Sequence, residues 1–224
     1  MHSLTFALPA FIFGLVLISL YSADAEDKPK KNDAAPPLKP LAFQPLPLGS
    51  IRPAGWLKQQ LQIQAKGLSG HLDEFWPDLT DSAWLGGKRE GWERGPYWLD
   101  GIVPLAYVLE DEKLKGKVNH WMNYIVLHQH EDGWLGPREN KGGPALDPWP
   151  LFVLFKAMTQ VYEATGDKRI IPAMQKCMKR LDALLDKKPL ESWGHYRWAD
   201  LVLSIHWLYE QTKDKALLDL AAKV

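Results

Sequence analysis

Tryptophans that lie two residues from an aspartate recur along the sequence, for example at positions 98, 149 and 198. An indole offers a flat apolar face to a sugar ring, and carboxylates accept hydrogen bonds from sugar hydroxyls. A pair of carboxylates can also serve as the acid and the nucleophile or base of glycoside hydrolysis. The pattern therefore indicates a carbohydrate-binding cleft.

Three other tryptophans, Trp92, Trp134 and Trp193, each lie next to a glycine, and charged side chains accompany several of them. The candidate substrate-binding residues are Trp92, Glu93, Trp98, Asp100, Trp134, Asp147, Trp149, His195, Arg197, Trp198 and Asp200. Two structural interpretations compete with this one. The tryptophans could cap the core of each helical pair, and the aspartates could cap helix N-termini.

Metal and nucleophile motifs of the common kinds do not occur in the sequence. The single cysteine, Cys177, lies in an amphipathic helical pattern and is interpreted as a packed side chain. His128 and His130 are not expected to bind a metal, because a helix end would splay them apart. The lack of a G-x-S-x-G motif, a phosphate-binding glycine loop and a dinucleotide fingerprint argues against esterases, kinases and dehydrogenases.

Composition describes an ordinary globular domain. The 224 residues are 46% hydrophobic and carry 27 basic and 27 acidic side chains, which gives a formal net charge of zero. This length suffices for one domain with its own core. With no basic block, we expect no nucleic-acid partner and no anionic membrane surface.

Beyond residue 50 the apolar spacing has the period of an α-helix, and no segment alternates as a strand does. The sequence therefore predicts an all-α fold. The predicted helices cover residues 54–68, 97–110, 112–129, 148–165, 168–186, 197–212 and 214–224.

These helices belong to a repeat. VYEATGDKRI at 161–170 matches LYEQTKDKAL at 208–217, and AYVLEDEKL at 106–114 is a weaker copy. Each copy predicts a helix end, a tight turn and the start of the next helix. Such hairpins must stack on one another, in an open solenoid or in a ring. The long return loops favour the ring, which would gather the first helices' N-termini at one rim.

Several segments together resemble the N-terminal part of glycoside hydrolase family 127, the β-L-arabinofuranosidase type, over about residues 46–224. They are LGSIRPAGWLKQQLQIQAKGLSGHLDEFW, GPYWLDGIVPLAYVLEDEKL, EDGWLGP and the YEATGD hairpins. The resemblance implies an (α/α)6 barrel followed by β-sandwich modules. It also implies a cysteine thiolate nucleophile on a zinc site of cysteines and a glutamate, with a second glutamate as acid/base.

Those catalytic residues belong to the later part of the family's barrel, and Cys177 does not match their motif. No catalytic residue or metal ligand is therefore assigned in this chain, and the zinc machinery is expected beyond residue 224. The chain is expected to be an N-terminal fragment that forms an incomplete toroid and is inactive alone. Its expected partners are a carbohydrate substrate, the remainder of the barrel and the β-sandwich modules.

The N-terminal segment has the features of an export signal. The apolar run from residue 4 to residue 20 precedes Ala23-Asp24-Ala25, which predicts a signal peptide at 1–25 and a secreted or periplasmic protein. An uncleaved membrane anchor is the alternative, since the charged leader is missing. Residues 26–48 are rich in proline and lysine and predict a linker, and the catalytic domain is expected at 49–224.

Two other functions remain as alternatives to a β-L-arabinofuranosidase-like hydrolase. One is another α/α-toroid carbohydrate enzyme, either a lyase or an unsaturated-glycoside hydrolase. The other is a non-catalytic helical repeat that binds glycans or proteins.

Overall fold

The computed structural model describes residues 38–39, 42–43, 45–139 and 146–224. Within these ranges helices are the only regular secondary structure. The expected signal peptide and most of the expected linker lie outside the described residues. In the part that is described, no helix has the length and apolar character needed to cross a membrane.

The described ranges contain α-helices of very different lengths, and a 3-10 turn at Ala83–Leu85 lies between the third and the fourth. The helices are α1 Gly55–Lys66, α2 Leu68–Phe75, α3 Pro77–Thr80, α4 Arg94–Leu109, α5 Glu112–Leu127, α6 Trp149–Thr165, α7 Ile170–Leu185, α8 Ser192–Tyr196, α9 Trp198–Thr212 and α10 Ala216–Lys223. The seven helices predicted from apolar periodicity correspond to α1, α4, α5, α6, α7, α9 and α10. The others are too short for periodicity to detect.

The long helices form three hairpins that pack side by side. α4 packs against α6 and α6 packs against α9, so the first helices of the hairpins form an inner row. The second helices, α5, α7 and α10, pack on the first helices of their own hairpins. α1 and α2 pack against α4. This arrangement confirms the predicted all-α fold built from repeated helical hairpins.

Each hairpin turn begins with a residue in the left-handed backbone conformation. These residues are Glu110 with φ 55°, Gly166 with φ 67° and Lys213 with φ 56°. A left-handed residue ends an α-helix by turning the chain away from the helix axis. Glycine adopts this conformation freely, whereas other residues pay about 1–2 kcal/mol for it.

An aspartate follows each left-handed residue, and its side chain accepts backbone N–H groups at the start of the next helix. Asp111 accepts hydrogen bonds from the backbone N–H of Lys113 and Leu114, at 3.0 and 3.1 Å. Asp167 and Asp214 accept one each, from the N–H groups two residues later, at 3.0 and 3.1 Å. Asp111 is the N-cap of α5, and such a cap stabilises a helix by about 1 kcal/mol. Asp167 and Asp214 order the short turns that precede α7 and α10.

Candidate functional site

The first turns of α4, α6 and α9 meet at one end of the inner row, around Trp149. This indole is 2% exposed, and its Nε1 donates a hydrogen bond of 2.7 Å to Oε2 of Glu93. The ring of Tyr97 packs edge-on at 6.2 Å between centroids, and the guanidinium of Arg197 lies 5.5 Å from the Trp149 ring centre. We call Glu93, Tyr97, Trp149, Arg197 and Asp200 the rim cluster.

Asp147 holds the loops before α4 and α6 together. Its Oδ1 accepts the N–H of Trp149 at 3.0 Å, and its Oδ2 accepts Nε1 of Trp92 at 2.8 Å. The side chain is buried and both of its oxygens are engaged. Asp147 therefore satisfies the N–H of the first residue of α6 and positions Trp92, a structural role of the kind that competed with sugar binding.

Arg197 and Asp200 form an ion pair at the start of α9. Arg197 Nε donates to Asp200 Oδ2 at 3.1 Å, and this hydrogen bond raises the pKa of the guanidinium. The ion pair holds the guanidinium group of Arg197 over the Trp149 ring. The remaining guanidinium N–H groups can serve as donors at the rim.

Tyr97 is the rim residue that the sequence interpretation left out of its candidate set. Its side chain is 45% exposed, and burial raises the pKa of its phenol, with the carboxylate of Glu93 acting in the same direction. The phenol is therefore a neutral donor at physiological pH. Tyr97 lies four residues after Glu93, one helical turn further along α4, and that spacing is the signal that could have identified it.

Asp100 lies deeper on α4 and joins it to α6. Its Oδ2 lies 3.0 Å from Nζ of Lys156, and its Oδ1 accepts Nε2 of Gln160 at 3.1 Å. Both carboxylate oxygens are engaged by these partners. Lys156 and Gln160 lie on one stripe of α6 and were not predicted as functional residues, because their partner is more than 50 positions away in the sequence.

Trp98 and Trp134 pack in the core. Trp98 Nε1 donates to the carbonyl of Ser69 at 3.0 Å, and its ring lies 5.2 Å from that of Trp121. Trp134 Nε1 donates to the carbonyl of Pro137 at 3.2 Å. These contacts correspond to the core-capping interpretation of the repeated tryptophans.

Trp198 and His195 are both exposed, at the start of α9 and in α8 respectively. Trp198 is 50% exposed, and the His195 ring packs at 5.3 Å from that of Tyr196, which is also exposed. The short helix α8 and the first turn of α9 thus present several aromatic side chains beside the rim cluster.

Glu90 fixes the start of α4. Its Oε1 accepts the backbone N–H groups of Glu93 and Arg94, at 2.8 and 3.3 Å, so it satisfies donors that the helix itself leaves unpaired. The side chain is 8% exposed, and burial raises the pKa of its carboxyl against the opposing effect of these hydrogen bonds. Glu90 was not among the predicted site residues.

Glu90→Gln is expected to change how stability depends on pH. Because the pKa in the folded state is raised, the folded chain holds this proton more tightly than the unfolded chain does. The wild type therefore loses stability relative to Glu90→Gln as the pH rises above the ordinary value of 4.5. Urea unfolding of both proteins at about pH 4 and pH 7 measures the change. A constant difference in stability between the two proteins at these pH values would contradict this assignment.

The described residues do not form a metal site of cysteines and a glutamate. Cys177 is completely buried in α7, and burial raises the pKa of its thiol to about 12, so it is not a thiolate at neutral pH. His128 and His130 bond through ring nitrogens to the carbonyls of Tyr124 and Gly136, at 2.8 and 3.1 Å. Among the residues described, no three histidine, cysteine or acidic side chains are grouped so as to hold a metal ion.

The comparisons with known proteins give one match. A family model described as "Beta-L-arabinofuranosidase, GH127 catalytic domain" matches residues 59–224. No curated protein and no solved structure matches the chain. The matched range includes all three hairpins and the whole rim cluster.

Proposed function

Because the chain belongs to the β-L-arabinofuranosidase GH127 catalytic-domain family, we propose that it serves to hydrolyse β-L-arabinofuranosidic side chains of polysaccharides. The family is one of glycoside hydrolases with an (α/α)6 barrel. Its members are hydrolases that act on carbohydrates, which disfavours both the lyase and the non-catalytic binding module.

The observation that carries the sugar-binding part of the proposal is the rim cluster. Oε2 of Glu93 accepts a hydrogen bond from the indole N–H of Trp149, and Oδ2 of Asp200 accepts one from Nε–H of Arg197. The second oxygen of each carboxylate accepts no hydrogen bond from the described residues. Unengaged acceptors beside the donors of Tyr97 and Arg197 match the hydroxyls of a neutral sugar.

Within this site the side chains bind and orient the sugar. Trp149 is too buried to stack on a ligand, and it instead holds Glu93 and Arg197 in place. The half-exposed rings of Tyr97 and Trp198 are the ones available to pack against a sugar face. Asp100 and Asp147 have both oxygens engaged within the protein, so they support the site from behind.

We propose that the zinc ligands and the thiolate nucleophile of the family are not among the residues described. The described residues do not fit that group, since Cys177 is enclosed and no metal-binding cluster is found among them. We place the nucleophile, the acid/base and the zinc ligands beyond residue 224.

Exposed apolar side chains support the proposal that further parts of the barrel complete the domain. Trp56 and Ile63 are exposed on α1, and Leu203 is exposed on α9. These helices lie at opposite ends of the packed row. Further hairpins of the barrel would cover such flanks, because stacked hairpins bury their faces only against neighbours. The β-sandwich modules of the family would follow.

The proposed location is secreted or periplasmic. The support comes from the sequence, where the apolar segment followed by Ala23-Asp24-Ala25 has the form of a cleavable signal. Polysaccharide side chains are met outside the cytoplasm, which agrees with export.

Arg197→Ala tests the rim cluster as the sugar site. We expect the affinity for methyl β-L-arabinofuranoside to fall about 10-fold or more, because a hydrogen bond from a charged donor is lost. Isothermal titration calorimetry measures this change. Arg52→Ala is the matched control, since Arg52 is exposed and pairs with Glu110 at the α4–α5 turn. Equal affinities for the wild type and Arg197→Ala would refute this placement of the sugar.

A further inference from the structure

The backbone of Glu93, an acceptor of the rim cluster, is held on both sides. Its N–H donates to Oε1 of Glu90 at 2.8 Å, and its carbonyl accepts the N–H of Tyr97 at 2.9 Å. Its Oε2 accepts the indole N–H of Trp149 at 2.7 Å, which leaves the other oxygen for a ligand. Because the peptide groups before and after Glu93 are both fixed, the direction in which its side chain leaves the backbone is fixed as well. The position of the free oxygen therefore depends on Glu90.

Glu90 is itself anchored to the 3-10 turn that precedes it. Its backbone carbonyl accepts the N–H of Ala83 at 3.2 Å and the hydroxyl of Ser82, a fully buried residue, at 3.3 Å. From the same turn, Nε1 of the buried Trp84 donates to the carbonyl of Trp92 at 2.9 Å. Both ends of the short segment from residue 90 to residue 92 are thus fixed to one buried turn.

The side chain of Glu90 is kept in an arrangement that lowers stability. It is 8% exposed, and its Oε2 is enclosed without a hydrogen-bond partner among the described residues, although buried polar atoms are almost always paired. Burial also raises the pKa of this carboxyl. A partly exposed aspartate can satisfy helix-start N–H groups without burying a charge, as Asp111 does for α5. The buried glutamate therefore points to a role in addition to capping.

A cleft beside the start of α4 offers the Glu93 carboxylate an alternative position. The cleft has a volume of about 330 Å3, and Glu93 lines it together with Lys88, Arg89 and Arg94. These positive charges would attract the carboxylate away from the rim cluster if the backbone at the helix start were released. The hydrogen bond from the N–H of Glu93 to Glu90 opposes this movement.

We propose that Glu90 is a positioning residue for sugar binding, which holds the start of α4 so that the free oxygen of Glu93 faces the rim cluster. The proposal rests on the proposed function, because it assumes that the rim cluster binds a sugar. Glu90 does not touch the sugar, since its Oε1 accepts the N–H groups of Glu93 and Arg94 and its Oε2 is enclosed. Its effect on affinity must therefore pass through Glu93.

The first test compares variants of Glu90 in the full chain. Glu90→Ala is expected to bind methyl β-L-arabinofuranoside about 10-fold more weakly than the wild type, because the acceptor on Glu93 is no longer held in place. Glu90→Gln should keep most of the affinity, since its amide oxygen can accept the same two N–H groups. Titration calorimetry measures the affinities, and circular dichroism at the same temperature shows whether each variant is folded.

Glu90→Asp replaces Glu90→Ala if the alanine variant does not fold. It keeps the carboxylate but is one methylene shorter, which withdraws the oxygens from the N–H of Glu93. The same loss of affinity is therefore expected for Glu90→Asp.

Asp111→Ala is the matched control for a loss of helix capping. Asp111 also uses one carboxylate oxygen to accept two successive N–H groups at a helix start. It lies at the other end of α4, about 24 Å along the helix from Glu93. We expect Asp111→Ala to lose stability and to keep the affinity of the wild type for methyl β-L-arabinofuranoside.

A double-mutant cycle with Glu93→Ala tests whether Glu90 acts through Glu93. Once residue 93 is alanine, Glu90→Ala should change the affinity by less than about 2-fold. The positioning role is overturned by wild-type affinity in Glu90→Ala, by an equal loss in Asp111→Ala, or by an undiminished effect of Glu90→Ala in the Glu93→Ala background. Each of these results leaves the proposed function in place. If the wild type does not bind the probe, the sugar site at the rim cluster fails, and the positioning role fails with it.

Discussion

Gly136→Ala is expected to lower the free energy of unfolding by about 3 kcal/mol or more. Gly136 has φ 73°, a conformation that costs an alanine about 1–2 kcal/mol. An added Cβ would also lie 2.0 Å from Cζ3 of Trp84, well inside the contact distance. Trp84 cannot move away easily, because it is buried and its Nε1 donates to the carbonyl of Trp92 at 2.9 Å. Overpacking of this kind adds about 1–3 kcal/mol.

Urea unfolding of the variant and the wild type measures the loss. The matched control is Gly166→Ala, since Gly166 has a similar φ of 67° but no atom within 4 Å of an added Cβ. This control should lose only the backbone contribution, about 1–2 kcal/mol. If the two alanine variants lose the same stability, the contact between the added Cβ and Trp84 does not contribute to the loss and the prediction is wrong.

Trp149→Ala is expected to remove both stability and sugar binding. The indole is almost fully buried and packs against Phe152 at 5.8 Å between ring centroids. Truncation of a buried tryptophan to alanine costs about 3–5 kcal/mol. Glu93 would lose its indole partner and Arg197 would lose the ring beneath it. The acceptor and the donor proposed to bind the sugar would then no longer be held in place.

Trp149→Phe separates the two effects. It keeps an aromatic ring and removes the N–H donor to Glu93, so we expect a smaller stability loss of about 1–2 kcal/mol. Its affinity for methyl β-L-arabinofuranoside should still fall. Trp198→Ala is the control for stability, because Trp198 has the equivalent position in the next hairpin but is half exposed. A loss for Trp198→Ala as large as that for Trp149→Ala would show that burial does not determine the effect.

The repeated tryptophans show which parts of the structure the sequence could predict and which it could not. The YEATGD-like repeat and the long return loops predicted the hairpins and their common rim, but the sequence offered no way to tell Trp98, Trp149 and Trp198 apart. The sequence predicted a start for α4 at residue 97, because Gly95 and Pro96 resemble a break. Proline is compatible with the first turn of a helix, and α4 begins at Arg94. Trp98 therefore lies one turn further along and faces the core.

Site residues were hardest to predict where their partners are distant in the sequence. Asp147 and Asp100 have the residue type and position of sugar acceptors. The structure engages their oxygens with Trp92 and Lys156, each more than 50 residues away. The spacing of residues within one helix does not predict contacts with residues so distant in the sequence. Tyr97 is a different case, because its helical spacing from Glu93 was visible in the sequence once the helix start was known.

The hairpin turns also bear on how this chain folds. Each turn combines a left-handed residue that ends one helix with an aspartate that accepts backbone N–H groups at the start of the next, so a few consecutive residues suffice to reverse the chain. Contacts that are close in sequence form early, because little chain entropy is lost in closing them. Each of the three turns can thus nucleate its own helical pair before the inner row assembles. Folding of these hairpins can start at several points along the chain, and a defect in one turn slows only the route that begins there.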